Sequence, residues 1–348
     1  MNIDITRHII PESASLLEAM QSINALCGTA MTLFVCDAER RVSGSVTDGD
    51  IRRSLIAGAG LESPVETAMH RDFLCISPDD DPLDAFDNAR RLGIRLMPML
   101  DSERRLQSII DLKTTKCMLP LDAVMMAGGR GERLRPLTLK TPKPLLKIGG
   151  KAIIDYNVDE LEANGIERIF ITVNYLKEQL QEHFSVPRRA ATVCVEEPRR
   201  LGTMGSLALV DGLRHDDILV MNSDILTDLD FEAMFRHHKA SEADLTMATI
   251  AHNIAVPFAI LKTEGGRVVG LQEKPSFNYS ANAGVYILKR SLLSRITPGE
   301  YLDAPDFIES IISDRLKVCH FPINGTWIDI GSPADFRHAD ELMNRPRR

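Results

Sequence analysis

Gly128, Gly129 and Gly131 follow directly on an apolar run, Leu121-Asp122-Ala123-Val124-Met125-Met126-Ala127. The stretch they open is basic, with Arg130, Arg133, Arg135, Lys140, Lys143, Lys147 and Lys151 against Glu132 alone. Glycine tolerates positive φ and close backbone approach, so successive N–H groups of such a turn can point at one phosphate. The Arg133 guanidinium adds a fixed fork of donors matched to phosphate oxygens. Two common phosphate motifs do not fit. Gly129-Arg130-Gly131-Glu132-Arg133-Leu134 ends in leucine where a dinucleotide fingerprint needs glycine or alanine, and no Gly-Lys-Ser/Thr closes a P-loop.

Two carboxylates stand where apolar runs end. Ile218-Leu219-Val220-Met221-Asn222-Ser223 leads into Asp224, and Trp327-Ile328 leads into Asp329. At the C-terminal edge of a parallel sheet such positions face the ligand crevice. A third candidate segment, Glu196-Glu197-Pro198-Arg199-Arg200-Leu201-Gly202-Thr203-Met204-Gly205, combines charge with glycines that admit close approach.

The elements that position these residues alternate apolar strands with amphipathic helices. Strands are expected at Leu121–Ala127, Arg168–Asn174, Ala191–Val195 and Asp217–Met221, with helices at Ile153–Asn164 and Leu176–Phe184. This is α/β patterning around a largely parallel sheet. After about Ala255 come short strands, Phe258–Lys262, Arg267–Glu273 and Ala283–Leu288, expected as an antiparallel patch on the main sheet. His237-His238 on a helix reads as surface.

Residues 1–115 follow a different pattern, an internal duplication. Leu33–Asp37 with Arg41–Asp48 is echoed by Met97–Asp101 with Arg105–Leu112, each pair preceded by a helix-period stretch, Ser15–Ala25 and Pro82–Leu92. Two stacked β-α-β-β units are expected there. Residues 116–121 read as a linker and 122–348 as the second domain.

The glycine loop carries a family resemblance. Gly128-Gly129-Arg130-Gly131-Glu132-Arg133-Leu134-Arg135-Pro136-Leu137-Thr138, followed by Pro142-Lys143-Pro144, resembles the G-G-x-G-x-R-L-x-P-x-T and P-K-P signature of sugar-1-phosphate nucleotidyltransferases. The resemblance implies a Rossmann-like α/β domain with a mixed, mostly parallel sheet. It implies Arg133 and Lys143 as catalytic residues, and Ala127, Gly128, Gly129, Gly131, Glu197, Gly202 and Thr203 along the nucleotide. Asp224 and Asp329 match the metal-binding aspartates, and hard oxygen ligands with a triphosphate imply Mg²⁺. Ser223 replaces the usual glycine beside Asp224, a change expected to act on loop geometry more than on chemistry. Glu273, Lys274, Asn282 and Gly284 match the sugar-phosphate side. Tyr301 to Phe307 reaches towards the same pocket without an assigned role.

The N-terminal half resembles a pair of CBS motifs through Gly44-Ser45-Val46-Thr47-Asp48-Gly49-Asp50-Ile51-Arg52. That resemblance implies a smaller α+β unit in which Thr47 and Asp50 hold the ribose of an adenine nucleotide, and a homo-oligomer. Asp48 and Asp50 as helix caps is the alternative. The second copy departs from the pattern at Ser108 and Asp111.

The chain as a whole has 348 residues, 44% hydrophobic and 26% charged, with net charge −8. This charge argues against nucleic acid as the main partner and leaves the basic cluster for a small polyanion. No apolar run approaches the roughly 20 residues that span a bilayer, and the N-terminus lacks a secretory pattern. Six cysteines without metal-ligand spacing read as reduced, mostly buried thiols. The cytoplasm is expected. The resemblances together imply an enzyme joining GTP to a hexosamine-, mannose- or heptose-1-phosphate with release of pyrophosphate, for surface glycans or nonulosonic acids. A transferase using phosphocholine, or an adenylate-sensing protein with a non-catalytic transferase fold, are the alternatives.

Overall fold

The computed structural model describes residues 3–27 and 30–344. The chain divides into two units, Met1–Leu119 with Ala163–Gly165, and Pro120–Glu162 with Ile166–Arg348.

In the first unit, Ile9–Pro11, Thr32–Cys36 and Val42–Thr47 form a three-stranded sheet, and Leu96–Leu100 pairs with Leu106–Asp111. The duplication is physical. Asp37 accepts from the Arg41 backbone at 2.8 Å and its guanidinium at 2.7 Å, and Asp101 does the same for Arg105 at 2.8 and 3.0 Å. In both turns the arginine before, Arg40 or Arg104, has φ 63°. Val42 N–H donates to the Arg104 carbonyl at 2.9 Å, and Phe34, Val42, Leu96, Leu100 and Ile109 share one buried cluster, so the two copies stack. The copies differ in their first strand, which in the second is reduced to a bridge between Ile76 and Met99.

The second unit is built on a seven-stranded sheet in the order Ala191–Glu196, Arg168–Val173, Asp122–Met126, Asp217–Asn222, Ser276–Lys289, Leu245–Ala255, Val318–Pro322. Only Ser276–Lys289 runs antiparallel to its neighbours. Central strands buried on both faces need near-continuous apolar residues. Ala123, Val124, Met125, Ile218, Leu219, Val220 and Met221 accordingly have no exposed surface. Helix Ala304–Ser313 lays Phe307, Ile308 and Ile311 on this core.

Sheet order explains where a site forms. From Asp122–Met126 the chain crosses to Arg168–Val173 and Ala191–Glu196 on one side, then returns to place Asp217–Asn222 on the other. The C-terminal ends of Asp122–Met126 and Asp217–Asn222 therefore flank a topological switch point, where loops diverge and leave a crevice.

Three expectations need correction. The short strands Ile260–Glu264 and Arg267–Gln272 form a separate two-stranded hairpin, while the main sheet is extended by the long strands Leu245–Ala255 and Ser276–Lys289. His238 is not surface but 1% exposed, bonded to Thr246 Oγ1 at 2.8 Å and facing Asp217 at 3.4 Å. All six cysteines are free, yet only Cys36 and Cys117 are buried. Among the described residues no helix is long and apolar enough to cross a membrane.

Candidate active site

The strand Asp122–Met126 ends in the glycine loop. Ala127 N–H still bonds the Thr172 carbonyl at 3.0 Å, and the chain then turns away from the sheet. Gly131 has φ 58°, and a Cβ there would lie 2.9 Å from Thr138 Cγ2 and 3.0 Å from Lys143 Cβ. Thr138 Oγ1 donates to the Gly131 carbonyl at 2.9 Å, and buried Leu134 anchors the short turn Glu132–Leu134. Gly128 is held from below. A Cβ at this position would sit 2.6 Å from Glu197 Oε1. Gly129 differs, with nothing within 4 Å of a Cβ. The fold does not require glycine there, so its usefulness lies on the open side of the loop.

Lys143 lies between Pro142 and Pro144, whose rings fix the local backbone. The residue is 8% exposed, and a buried ammonium needs a partner. The Asp224 carboxylate bonds it directly, and Asp329 Oδ1 lies 3.7 Å from the same Nζ. Main-chain pairing brings the two acids together. Ile225–Thr227 and Trp327–Asp329 form an antiparallel pair with Ile225 opposite Asp329, and Ile330 N–H donates to the Asp224 carbonyl at 3.1 Å. Burial and the neighbouring Asp224 charge push the Asp329 carboxyl above its ordinary value, against the pull of Lys143 and Arg133. Arg133 reaches over Gly331, where a Cβ would stand 3.0 Å from its guanidinium.

Ser223 lies between the strand end and Asp224 and is buried. Its hydroxyl donates to the Met126 carbonyl at 2.8 Å, tying the end of one strand to the start of the glycine loop. On the facing wall, Glu197 is 6% exposed and accepts from Leu201 N–H at 3.3 Å. Burial pushes its carboxyl up. Gly202 has φ 77°, and a Cβ there would meet the Leu302 carbonyl at 2.5 Å. Thr203 and Asp303 interlock. Asp303 Oδ1 accepts from Thr203 N–H at 3.2 Å, while Thr203 Oγ1 accepts from Ala304 N–H at 2.7 Å.

These elements enclose a cavity of about 490 Å³. The glycine loop, Lys143, Glu197, Gly202, Thr203 and Asp224 all line it. So do Arg130, Arg200 and Asn222, which the sequence reading did not assign, and Asp303, from the Tyr301 to Phe307 segment that was given no role. Asp303 had a signal, an acid just before Ala304-Pro305 at a helix start, but its partner Thr203 is remote in the chain. The lining carries four cations, Arg130, Arg133, Lys143 and Arg200, as candidate phosphate partners, alongside the acids Glu132, Glu197, Asp224 and Asp303.

The sugar-side candidates separate into two places. Gly284, at φ 72°, abuts the cavity residue Asn222, where a Cβ would lie 2.6 Å from Asn222 Nδ2. Asn282 Oδ1 accepts from Gly284 N–H at 2.9 Å, and its Nδ2 donates to Tyr286 at 2.7 Å. Glu273 and Lys274 are exposed and do not line the cavity. In the first unit, Asp50 Oδ2 accepts from the Thr47 backbone at 2.8 Å and its hydroxyl at 2.6 Å. Burial pushes the Asp50 carboxyl up, but these bonds and Arg53 outweigh it and hold it below its ordinary value. The pair thus caps helix Asp48–Ile56.

Among the described residues no three acidic, histidine or cysteine side chains form a metal cage. Asp224 and Asp329 instead offer two hard carboxylates beside a cavity. That donor set fits a cation that keeps waters and takes its remaining oxygens from a phosphate.

Known proteins share sequence and fold with this chain. The mannose-1-phosphate guanylyltransferase of Mycobacterium tuberculosis is 31% identical over 226 residues, covering 62% of this chain and 62% of that protein. The mannose-1-phosphate guanylyltransferase catalytic subunit beta of Dictyostelium discoideum is 30% identical over 225 residues, with 62% of each chain covered. This chain therefore spans about three fifths of the length of these relatives. The crystal structure of HddC from Yersinia pseudotuberculosis shares the fold, with a TM-score of 0.51 and 24% identity over 64% of this chain and 99% of that one. The family model described as nucleotidyl transferase matches residues 122–345, and on that match the chain belongs to the nucleotidyl transferase family.

Proposed function

We propose that this protein joins a nucleoside triphosphate to a sugar 1-phosphate and releases pyrophosphate. The observation that carries this reading is the cavity itself, with an open glycine turn on one side and Lys143 held by Asp224 and Asp329 on the other. In the proposed step, a sugar-phosphate oxygen forms a bond to the α-phosphorus while the α–β bridging bond breaks, and pyrophosphate carries away the electron pair. A phosphate monoester is already largely dianionic at pH 7, so no general base is required. Two such anions repel, and the site must neutralise and align them. Backbone N–H groups of the glycine loop hold the triphosphate, Arg133 stabilises charge on the α- and β-phosphates, and Lys143 holds phosphate beside them. Mg²⁺ on Asp224 and Asp329 would supply the remaining charge neutralisation.

GTP with mannose 1-phosphate is favoured by the mannose-1-phosphate guanylyltransferase names of the relatives, and hexosamine or heptose 1-phosphates stand beside it on the sequence resemblance alone. On the acceptor side the support is thinner in residues, because Glu273 and Lys274 stand outside the cavity lining. A phosphocholine acceptor needs neither and is the second reading. For the first unit, the stacked duplicate turns support a CBS pair that binds an adenine nucleotide at Thr47 and Asp50 and associates as a homo-oligomer in the cytoplasm. Adenylate binding there requires Thr47 and Asp50 to exchange their mutual bonds for ribose contacts.

The test is a matrix of nucleoside triphosphates against sugar 1-phosphates and phosphocholine, read by pyrophosphate release. Turnover with a sugar 1-phosphate and one preferred nucleotide supports the proposal. Turnover with phosphocholine alone moves the assignment to the second reading, and silence across the matrix from folded protein with Mg²⁺ removes both.

A further inference from the structure

The cavity wall that faces the glycine loop carries three charged side chains, Glu197, Arg200 and Asp303. Two of them are engaged within the protein. Glu197 Oε2 accepts from Leu201 N–H at 3.3 Å, and its Oε1 fills the space beneath Gly128. Asp303 Oδ1 accepts from Thr203 N–H at 3.2 Å, and its Oδ2 from the Tyr301 hydroxyl at 2.5 Å. Arg200 is the exception. It is exposed and lines the cavity, and among the described residues no hydrogen bond or ion pair holds its guanidinium.

The backbone on either side of Arg200 is fixed. The Arg199 guanidinium donates twice to the Gly299 carbonyl. Leu201 has no exposed surface, and its carbonyl accepts from Leu302 N–H at 2.9 Å. The Leu302 carbonyl accepts in turn from Met204 and Gly205 N–H at 2.9 and 3.1 Å, so the two segments clasp each other. An arginine held at its root and free at its head loses little beyond side-chain order when a ligand arrives.

Arg200 also stands apart from the groups assigned to phosphate. Arg130 and Arg133 belong to the glycine loop, and Arg133 acts with Lys143 on the Asp329 carboxyl, against its burial and the Asp224 charge. Arg200 acts elsewhere. It opposes the burial that pushes the Glu197 carboxyl up, and the Asp303 bond that pushes the Tyr301 hydroxyl up. A cavity of about 490 Å³ holds a whole small molecule rather than phosphates alone.

A guanidinium fork discriminates between purines. Guanine presents two acceptors, O6 and N7, on one edge, and the fork donates to both at once. Adenine carries an amino donor where guanine has O6, and two donors then face each other.

We infer that Arg200 reads the nucleobase, donating to guanine O6 and N7 and so setting a preference for GTP. This rests on the reading above that the cavity takes a nucleoside triphosphate. Titration calorimetry with GTP, 7-deaza-GTP and ATP, in Mg²⁺, tests it on the full-length wild type and Arg200→Ala. 7-Deaza-GTP lacks only the N7 acceptor. Wild type should bind GTP about 10-fold tighter than 7-deaza-GTP, the scale of one hydrogen bond to a charged donor. Arg200→Ala should bind the two alike, with unchanged far-UV circular dichroism because the side chain is exposed. Equal binding by wild type, or a preference that survives the substitution, would overturn the inference. So would an equal loss for all three triphosphates, which would make Arg200 a phosphate partner, and so would no binding at all. Pyrophosphate release from the same samples with a sugar 1-phosphate keeps the two readings distinct. Turnover without the N7 preference removes the Arg200 assignment and leaves nucleotidyl transfer standing, while the preference without turnover does the reverse.

Discussion

The Lys143 ammonium bonds the Asp224 carboxylate and stands 3.7 Å from Asp329, so one buried cation holds two acids that repel each other. Burial first, and then the Asp224 charge, push the Asp329 carboxyl up. Lys143→Ala removes the cation from both and should lower kcat about 10²-fold, the scale of one well-placed electrostatic group. Arg133→Ala should do the same, because its guanidinium is aimed past Gly331 into the same region. Steady-state kinetics decide the matter. A rise in KM at constant kcat would reduce either residue to uniform binding of substrate.

The loop glycines should separate stability from binding. Gly131→Ala forces a side chain to φ 58° and into Thr138 and Lys143, at about 1–2 kcal/mol for the backbone conformation alone. Gly129→Ala meets nothing within 4 Å and should stay within about 0.5 kcal/mol of the wild type. Its effect should appear as a raised KM for the nucleotide. Urea melts paired with kinetics read both. Equal destabilisation by the two substitutions would contradict the distinction.

Asp217 should govern part of the acid stability. Burial alone would raise its carboxyl, but hydrogen bonds from His238 and Lys239 outweigh it and hold it below its ordinary value. The folded value is then lower than the unfolded one of about 3.9. The resulting stabilisation is complete above that pH and lost as pH falls through the folded value. Asp217→Asn should cost about 1–3 kcal/mol at pH 7. Denaturant midpoints of wild type and variant should converge at strongly acidic pH, and a constant gap down to that range would refute the assignment.

What was legible in the sequence was local. The glycine loop announces itself by composition, and its strand by an unbroken apolar run, because a strand buried on both faces has no polar alternation to hide it. The duplicate turns were legible because Asp37–Arg41 and Asp101–Arg105 repeat the same bonds within five residues. Asp303 was not, since its role rests on a bond to Thr203 across a long stretch of chain. Leu245–Ala255 was missed for a different reason. It is buried at one end and exposed at the other, so neither a core run nor a clean alternation covers it. His238 looked like surface because its satisfaction depends on Thr246 and Asp217, on two other strands.

The central claim is that the cavity bounded by the glycine loop and the Lys143–Asp224–Asp329 cluster transfers a nucleotidyl group. Pyrophosphate release by wild type and Asp224→Asn, with and without Mg²⁺, tests it most directly. The account predicts Mg²⁺-dependent turnover with one nucleotide preferred. It also predicts a loss of about 10²-fold or more in kcat for the variant, read at a temperature where circular dichroism shows it folded, because Asp224 is also the charge partner of the buried Lys143 ammonium. Turnover that survives the substitution unchanged, or that needs no divalent cation, would contradict it.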